Sequence, residues 1–188
     1  MPNSVRQQTI WLPQGTPDET NISTADWDSV AGQRGQLGVE HDYNDRVYQR
    51  VQLDSGATSA TPTGVVAANQ VAFWRNKDTY TVTNDRRFAM NLGAATTAYA
   101  NFVAGIFRLA ATAGNYVDVL KAGDNIACAD GGNTFAAGET VIAEADSVAA
   151  VDRVAVGTAP TYLPLGYARG TASGGNVNVD IDIRVRHQ

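Results

Sequence analysis

The chain has 188 residues, and 14 Lys and Arg stand against 19 Asp and Glu, which gives a net charge of −5. This length fits one domain with its own core, and 44% hydrophobic residues exclude a strongly charged disordered chain. No apolar run reaches the roughly 18 residues that a membrane helix needs. An acidic chain with two lysines also lacks the basic footprint of a nucleic-acid-binding protein.

Residues 1–45 are polar and irregular, with closely spaced prolines and glycines that disfavour a long regular element. The stretch MPNSVRQQTIWLPQG has no basic flank or apolar core, so we expect no secretory leader. Trp11 and Trp27 stand among few apolar neighbours, where exposure to water would waste their burial energy. The sequence predicts an extended N-terminal arm over 1–45, whose tryptophans dock either on their own domain or on a neighbouring subunit.

From residue 46 the pattern becomes that of short β-strands. Apolar side chains alternate over 47–53 with a break at Gln49, and residues 76–78 form a turn between two aromatic and β-branched segments. The predicted strands are 47–53, 70–75, 79–83, 102–109, 116–120, 140–143, 148–156, 165–170 and 176–186. Alanine-rich residues 92–104 are the one candidate for a short helix.

The segment 176–186 gives the clearest pattern, because valine and isoleucine alternate with Asn, Asp and Arg throughout. A helix would spread these apolar groups around its axis. Residues 165–170 are its predicted hairpin partner. Many short strands separated by turn signals indicate a mainly β protein: a compact β-barrel or β-sandwich over 46–188, with at most one short helix.

Candidate chemical groups are few. His41 and Asp42 are adjacent, and neighbours in sequence rarely reach the geometry of a catalytic dyad. Cys128 lies among small apolar residues without a cation to activate it, which is typical of a buried thiol. The acidic stretch 124–133 lacks the spacing of a calcium loop, so we expect a turn. We therefore predict no catalytic residue, no cofactor and no metal site.

Two kinds of side chain are candidates for contacts with partners. Asp85, Arg86 and Arg87 form a charge cluster suited to a salt bridge or an interface. With Trp11 and Trp27, the two arginines are the predicted partner-binding residues. Asp180 and Asp182 share one strand face with two asparagines, and they suit a metal site or a polar subunit interface, although their alternation requires neither.

The chain resembles the head decoration, or cement, proteins of tailed phages, which stabilise capsids. The segments that carry the resemblance are 46–51, 71–74, 80–85, 101–107, 114–119, 165–168 and the alternating strand that ends at Ile183. It implies a compact β fold without an active site, located on the outer capsid surface of the virion. The implied partners are the major capsid protein and further copies of the chain, with a trimer as the favoured homo-oligomer.

A carbohydrate-binding or receptor-binding β module on a virion surface is the alternative. Trp11, Trp27, Trp74 and Tyr162 are its candidate stacking platforms, although Trp74 lies in a predicted strand and suits a core. A small hydrolase, the third possibility, would need partners for His41 that the sequence does not offer.

Overall fold

The computed structural model describes residues 37–38, 40–43, 45–54, 65–86, 102–144, 149–160 and 162–183. These residues form fourteen strands and contain no α-helix. The strands are β1 (Glu40–Tyr43), β2 (Arg46–Leu53), β3 (Val65–Val66), β4 (Val71–Asn76), β5 (Thr81–Thr83), β6 (Val103–Phe107), β7 (Ala111–Thr112), β8 (Tyr116–Ala129), β9 (Thr134–Phe135), β10 (Thr140–Ala143), β11 (Val151–Val154), β12 (Gly166–Ala168), β13 (Ala172–Ser173) and β14 (Asn176–Asp182). In the described part of the chain, no helix is long and apolar enough to cross a membrane.

Five strands close into a barrel in the order β2-β5-β4-β6-β8, and β8 pairs back with β2. Four of the five junctions are antiparallel, whereas β2 and β5 run parallel over two residue pairs. β5 pairs only with the end of β2, and β1 pairs with the first half of β2 along the same edge. The sheet therefore begins at Glu40, inside the segment predicted as an arm, while residues 1–36 lie outside the described residues.

The long strand β8 takes part in the barrel and also in the sheet that extends from it. Its first half closes the barrel, and its second half pairs with β14, which continues the sheet in the order β14-β12-β10-β11. We call these four strands, with the second half of β8, the outer sheet. A register shift against β14 between Val179 and Ile181 marks the change of direction, as expected where a strand bends from a barrel into a second sheet.

Two buried clusters follow from this arrangement. One lies inside the barrel and includes Val51, Trp74 and Phe107. The other joins one face of the outer sheet to barrel residues such as Tyr48 and Phe73. Because β2 and β4 contribute to both clusters, their side chains are buried on both faces.

The prediction of a mainly β fold is confirmed, and the structure combines a barrel with a packed sheet. β12 and β14 pair as predicted, and residues 77–80 form the turn between β4 and β5. The segment 116–120 extends to Ala129, so that prediction was too short. The predicted helix 92–104 lies outside the described residues except for its last three, and Val103 and Ala104 begin β6.

Candidate functional site

Within the outer sheet, β12 and β14 have one buried face and one face toward solvent. In β14 the apolar residues are buried, with Val179 fully covered. The alternate positions face outward, because neighbouring side chains of a strand point to opposite sides. These positions are Asn176, Asn178, Asp180 and Asp182.

Tyr167 stands on the same face, in the middle of the outer sheet. It lies on β12 opposite Asp180 of β14 and Thr140 of β10. Tyr167 is 57% exposed, whereas the flanking Gly166 and Ala168 are buried. A large aromatic ring with a polar hydroxyl is the kind of group that anchors protein and ligand interfaces.

An ion pair fixes the centre of this face. The Arg169 side chain lies 2.9 Å from Asp180 Oδ1 and donates a hydrogen bond of 3.0 Å to Asp180 Oδ2. The backbone N–H of Asn125 also donates to Asp180 Oδ1. Asn125 adopts a positive φ of 56°, a conformation that asparagine tolerates better than most residues. This contact therefore joins the bend of β8 to β14.

Shallow hollows lie on both sides of the ion pair. One has a volume of about 330 Å³, and Tyr167 and the four carboxylates of Asp45, Asp124, Asp180 and Asp182 are among its lining residues. The other has a volume of about 310 Å³, and its lining is polar: Asn125, Arg169, Gly170, Thr171, Ala172, Asn176 and Asn178. We refer to Tyr167, Arg169 and the outward residues of β14 as the β12–β14 face.

The β12–β14 face presents amide, carboxylate, guanidinium and phenol groups to solvent. Across the residues that the structure describes, no three His, Cys, Asp or Glu side chains are grouped as a metal ion requires. Amides, carboxylates and one guanidinium can exchange hydrogen bonds with a partner around the exposed ring of Tyr167.

Cys128 lies in the core next to the outer sheet and is fully buried. Burial raises the pKa of its thiol to about 12, and the positive charge of Arg108 only partly opposes this rise. A thiol with this pKa is protonated at neutral pH and is a poor nucleophile. The prediction of a structural cysteine is confirmed.

The acidic stretch 124–133 contains a tight turn after β8. Asp130 is buried, and its Oδ1 atom accepts hydrogen bonds from the backbone N–H groups of Gly132 and Gly175. This carboxylate therefore connects two turns. The prediction of a turn is confirmed for the second part of the stretch. The first part, 124–129, is strand.

The other predicted site residues are not brought to this face within the described part of the chain. His41 lies on β1 opposite Tyr48 of β2. Arg86 is half-buried just after β5. Trp11, Trp27 and Arg87, predicted to bind partners, lie outside the described residues. Trp74 is 4% exposed in the barrel and Tyr162 packs against the second core, so neither is an open stacking platform.

A buried ion pair was missed by the sequence predictions. Arg50 on β2 lies opposite Asp118 on β8, and its guanidinium donates two hydrogen bonds, of 2.5 and 2.8 Å, to the two carboxylate oxygens. The two side chains are 1% and 2% exposed. The sequence does contain a signal for this pair, since each of two predicted strands carries one charged residue in its interior. Charged side chains are rarely buried without a partner, so two such residues indicate a possible ion pair.

No family model matches the chain, and no curated protein matches its sequence. Among solved structures, it is similar to the head fiber gp8.5 N base in bacteriophage phi29, with 14% identity and a TM-score of 0.45 over 73% of this chain and 94% of that one.

Proposed function

We propose that this chain is a non-enzymatic structural protein of a phage virion, which binds the outer surface of the capsid and stabilises it. The sequence resemblance to head decoration proteins suggests this class. The observation that carries the proposal is the β12–β14 face, which presents hydrogen-bonding groups around Tyr167 on a rigid sheet. Such a face suits a protein partner, since interfaces combine a central aromatic anchor with a polar surround.

The composition of this face suits a protein present in many copies. Asparagine, aspartate and tyrosine lose less side-chain entropy on being covered than lysine or glutamate does. A lattice of copies also gains affinity from multivalency, so each contact can be weak. The net charge of −5 favours a location away from packaged DNA.

The test is co-sedimentation of the purified chain with phage heads that lack their accessory proteins. We expect saturable binding of the full chain and weaker binding after deletion of residues 1–36, because Trp11 and Trp27 belong to the proposed capsid contact. The deletion ends at residue 36, since Gly38 exchanges hydrogen bonds with Arg50 and Gln49 of β2. A folded full-length chain that does not bind heads would refute the proposed function.

Carbohydrate binding is the second candidate, and Tyr167 is the observation that favours it. An exposed tyrosine ring can stack on the C–H face of a sugar, and the neighbouring amides and carboxylates can bind its hydroxyl groups. Tyr167 thus replaces Trp74 and Tyr162 as the stacking candidate. Binding of glycans by the wild-type chain, lost in Tyr167→Ser, together with absence of binding to heads, would favour this function.

A further inference from the structure

Tyr80 holds a backbone conformation that an aromatic residue rarely adopts. Its φ is 52°, in the left-handed region, where a bulky side chain is an outlier. The backbone around it is fixed, because the N–H of Tyr80 donates to the carbonyl of Lys77 at 3.3 Å and its carbonyl accepts from the N–H of Gln52 at 3.0 Å. Trp74 meets the ring in a T-shaped contact, with centroids 6.4 Å apart. Strain that is held in this way is typical of clamps and switches.

The Tyr80 ring lies directly on the backbone of Gly38. A Cβ atom at Gly38 would collide with three carbons of the ring, and the φ of 82° at this position also favours glycine. Two hydrogen bonds of 2.7 Å hold the same residue on β2: its N–H donates to the carbonyl of Arg50, and its carbonyl accepts from Nε2 of Gln49. The ring therefore covers a piece of backbone that is fastened to β2 through both of its polar groups.

Gly38 stands just before β1, at the open end of the hairpin that β1 forms with β2. Among the described strands, β1 pairs with β2 alone, over four residue pairs. Asp45 lies in the turn at the other end of the hairpin, and a half-exposed ion pair of Glu40 with Lys121 adds one side-chain contact. A short strand with a single neighbour is the kind of element that opens before the rest of a fold. The contacts of Gly38 therefore decide whether β1 stays on β2.

We propose that Tyr80 is a strap over Gly38 that keeps β1 on the edge of β2, and that β1 is released as a unit when the strap opens, while the barrel stays closed. The barrel does not need β1, because β2-β5-β4-β6-β8 closes without it. Release uncovers the first half of one edge of β2, and free backbone groups along an edge are a template for another strand. This device acts within one chain and is independent of capsid binding.

Native-state hydrogen exchange of the full chain, followed by mass spectrometry, measures this opening. In the wild type we expect the segment 38–43 to exchange faster than 116–122 of β8, at a rate that low concentrations of urea do not change, because little surface is exposed. Tyr80→Asn removes the ring and keeps a residue that tolerates the left-handed region. Gly38→Ala forces the ring away. Each substitution should speed exchange of 38–43 by about tenfold or more.

Two glycine variants separate the strap from a general loss of stability. Gly138 has the same φ of 82°, and a Cβ there would meet nothing within 4 Å, so Gly138→Ala carries the backbone cost without a collision. Gly105→Ala weakens the barrel and should speed exchange of 116–122. Neither variant should change exchange of 38–43 by more than about twofold, because the contacts it alters persist when β1 opens.

The double variant of Tyr80→Asn with Gly38→Ala tests whether both substitutions act on one contact. If they do, it speeds exchange of 38–43 by less than the product of the two single effects.

Three results would overturn this inference. The first is exchange of 38–43 with the rate and urea dependence of 116–122, which would show that β1 opens only with the whole fold. The second is exchange of 38–43 that neither single variant changes. The third is a double variant whose effect equals the product of the two single effects.

Discussion

The barrel and the outer sheet each contain an arginine–aspartate ion pair, which is buried in the barrel and exposed in the outer sheet. In the barrel, Arg50 and Asp118 are 1% and 2% exposed, on strands covered on both faces. In the outer sheet, Arg169 and Asp180 are 48% and 39% exposed, on a face open to solvent. The difference indicates that the first pair is part of the fold's interior, whereas the second lies on the solvent-facing side of the outer sheet.

The largest expected effect comes from breaking the buried pair. Asp118→Asn keeps the shape of the side chain but removes the carboxylate charge that accepts both hydrogen bonds from the buried Arg50 guanidinium. Removing one partner of a buried pair costs about 3–5 kcal/mol of unfolding free energy. Urea unfolding at neutral pH, followed by circular dichroism, measures the loss.

The matched double variant tests the cause. Arg50→Met with Asp118→Leu removes both charges and keeps apolar volume, so it should recover most of the stability lost in Asp118→Asn. If the single variant were as stable as the wild type, the pair would not be as dehydrated as its exposure indicates.

The next largest loss of stability is expected where two strand backbones are in close contact. A Cβ atom at Gly166 of β12 would collide with the carbonyl oxygen of Asp180, whereas a Cβ at Gly170 would meet nothing within 4 Å. Gly166→Ala must separate β12 from β14, and we expect a loss of about 2–3 kcal/mol. Gly170→Ala is the control and should stay within about 0.5 kcal/mol of the wild type.

Both glycine variants are compared by thermal and urea unfolding. Equal stability of Gly166→Ala and Gly170→Ala would contradict the tight pairing of β12 with β14. The same comparison extends to the barrel, where a Cβ at Gly105 would lie 2.7 Å from the carbonyl oxygen of Leu120. We therefore expect Gly105→Ala to be destabilised as well, showing that both regions depend on close strand approach.

The buried thiol predicts a loss of stability in alkaline solution. The pKa of Cys128 is about 12 in the fold, against 9.0 as its ordinary value. Unfolding therefore releases the thiol proton between these values, and stability falls as pH rises through that window, by at most about 1.4 kcal/mol per pH unit. Below pH 9 the thiol is protonated in both states and adds no dependence on pH.

Cys128→Val isolates this contribution, because the substitution keeps an apolar side chain of similar size. Unfolding free energies of both proteins are measured at about pH 8 and about pH 10. The wild type should lose more stability than the variant over this interval. Parallel pH profiles would show that the thiol ionises with its ordinary pKa in the fold.

The same contrast between regions explains what the sequence could predict. β14 has one buried face, so strict alternation revealed both its existence and its outward residues. In β8, Gly123 and Asn125 resemble turn residues, yet they lie in a strand that bends from the barrel into the outer sheet. Glycine and asparagine are common both where a strand bends and where it ends, so local composition does not distinguish the two cases.

Contacts between distant segments explain the remaining gaps. Arg50 and Asp118 are 68 residues apart and meet only because β2 and β8 close the barrel. Tyr167 becomes a candidate anchor once the pairing of β12 with β14 shows which face it occupies. Sequence periodicity determines which side chains share a strand face, but the pairing of strands determines which faces form a site.

The smallest effect on stability is expected at the exposed ion pair, and it separates folding from recognition most sharply. Arg169→Gln removes a charge that is 48% exposed and should change the unfolding free energy by less than about 1 kcal/mol. The same variant removes a fixed guanidinium from the β12–β14 face, so binding to heads should weaken while the fold persists. Lys77→Gln, in the exposed turn after β4, loses the same charge and serves as the control. A destabilisation as large as that of Asp118→Asn would show that Arg169 belongs to the structural interior, and the division between barrel and outer sheet would then fail.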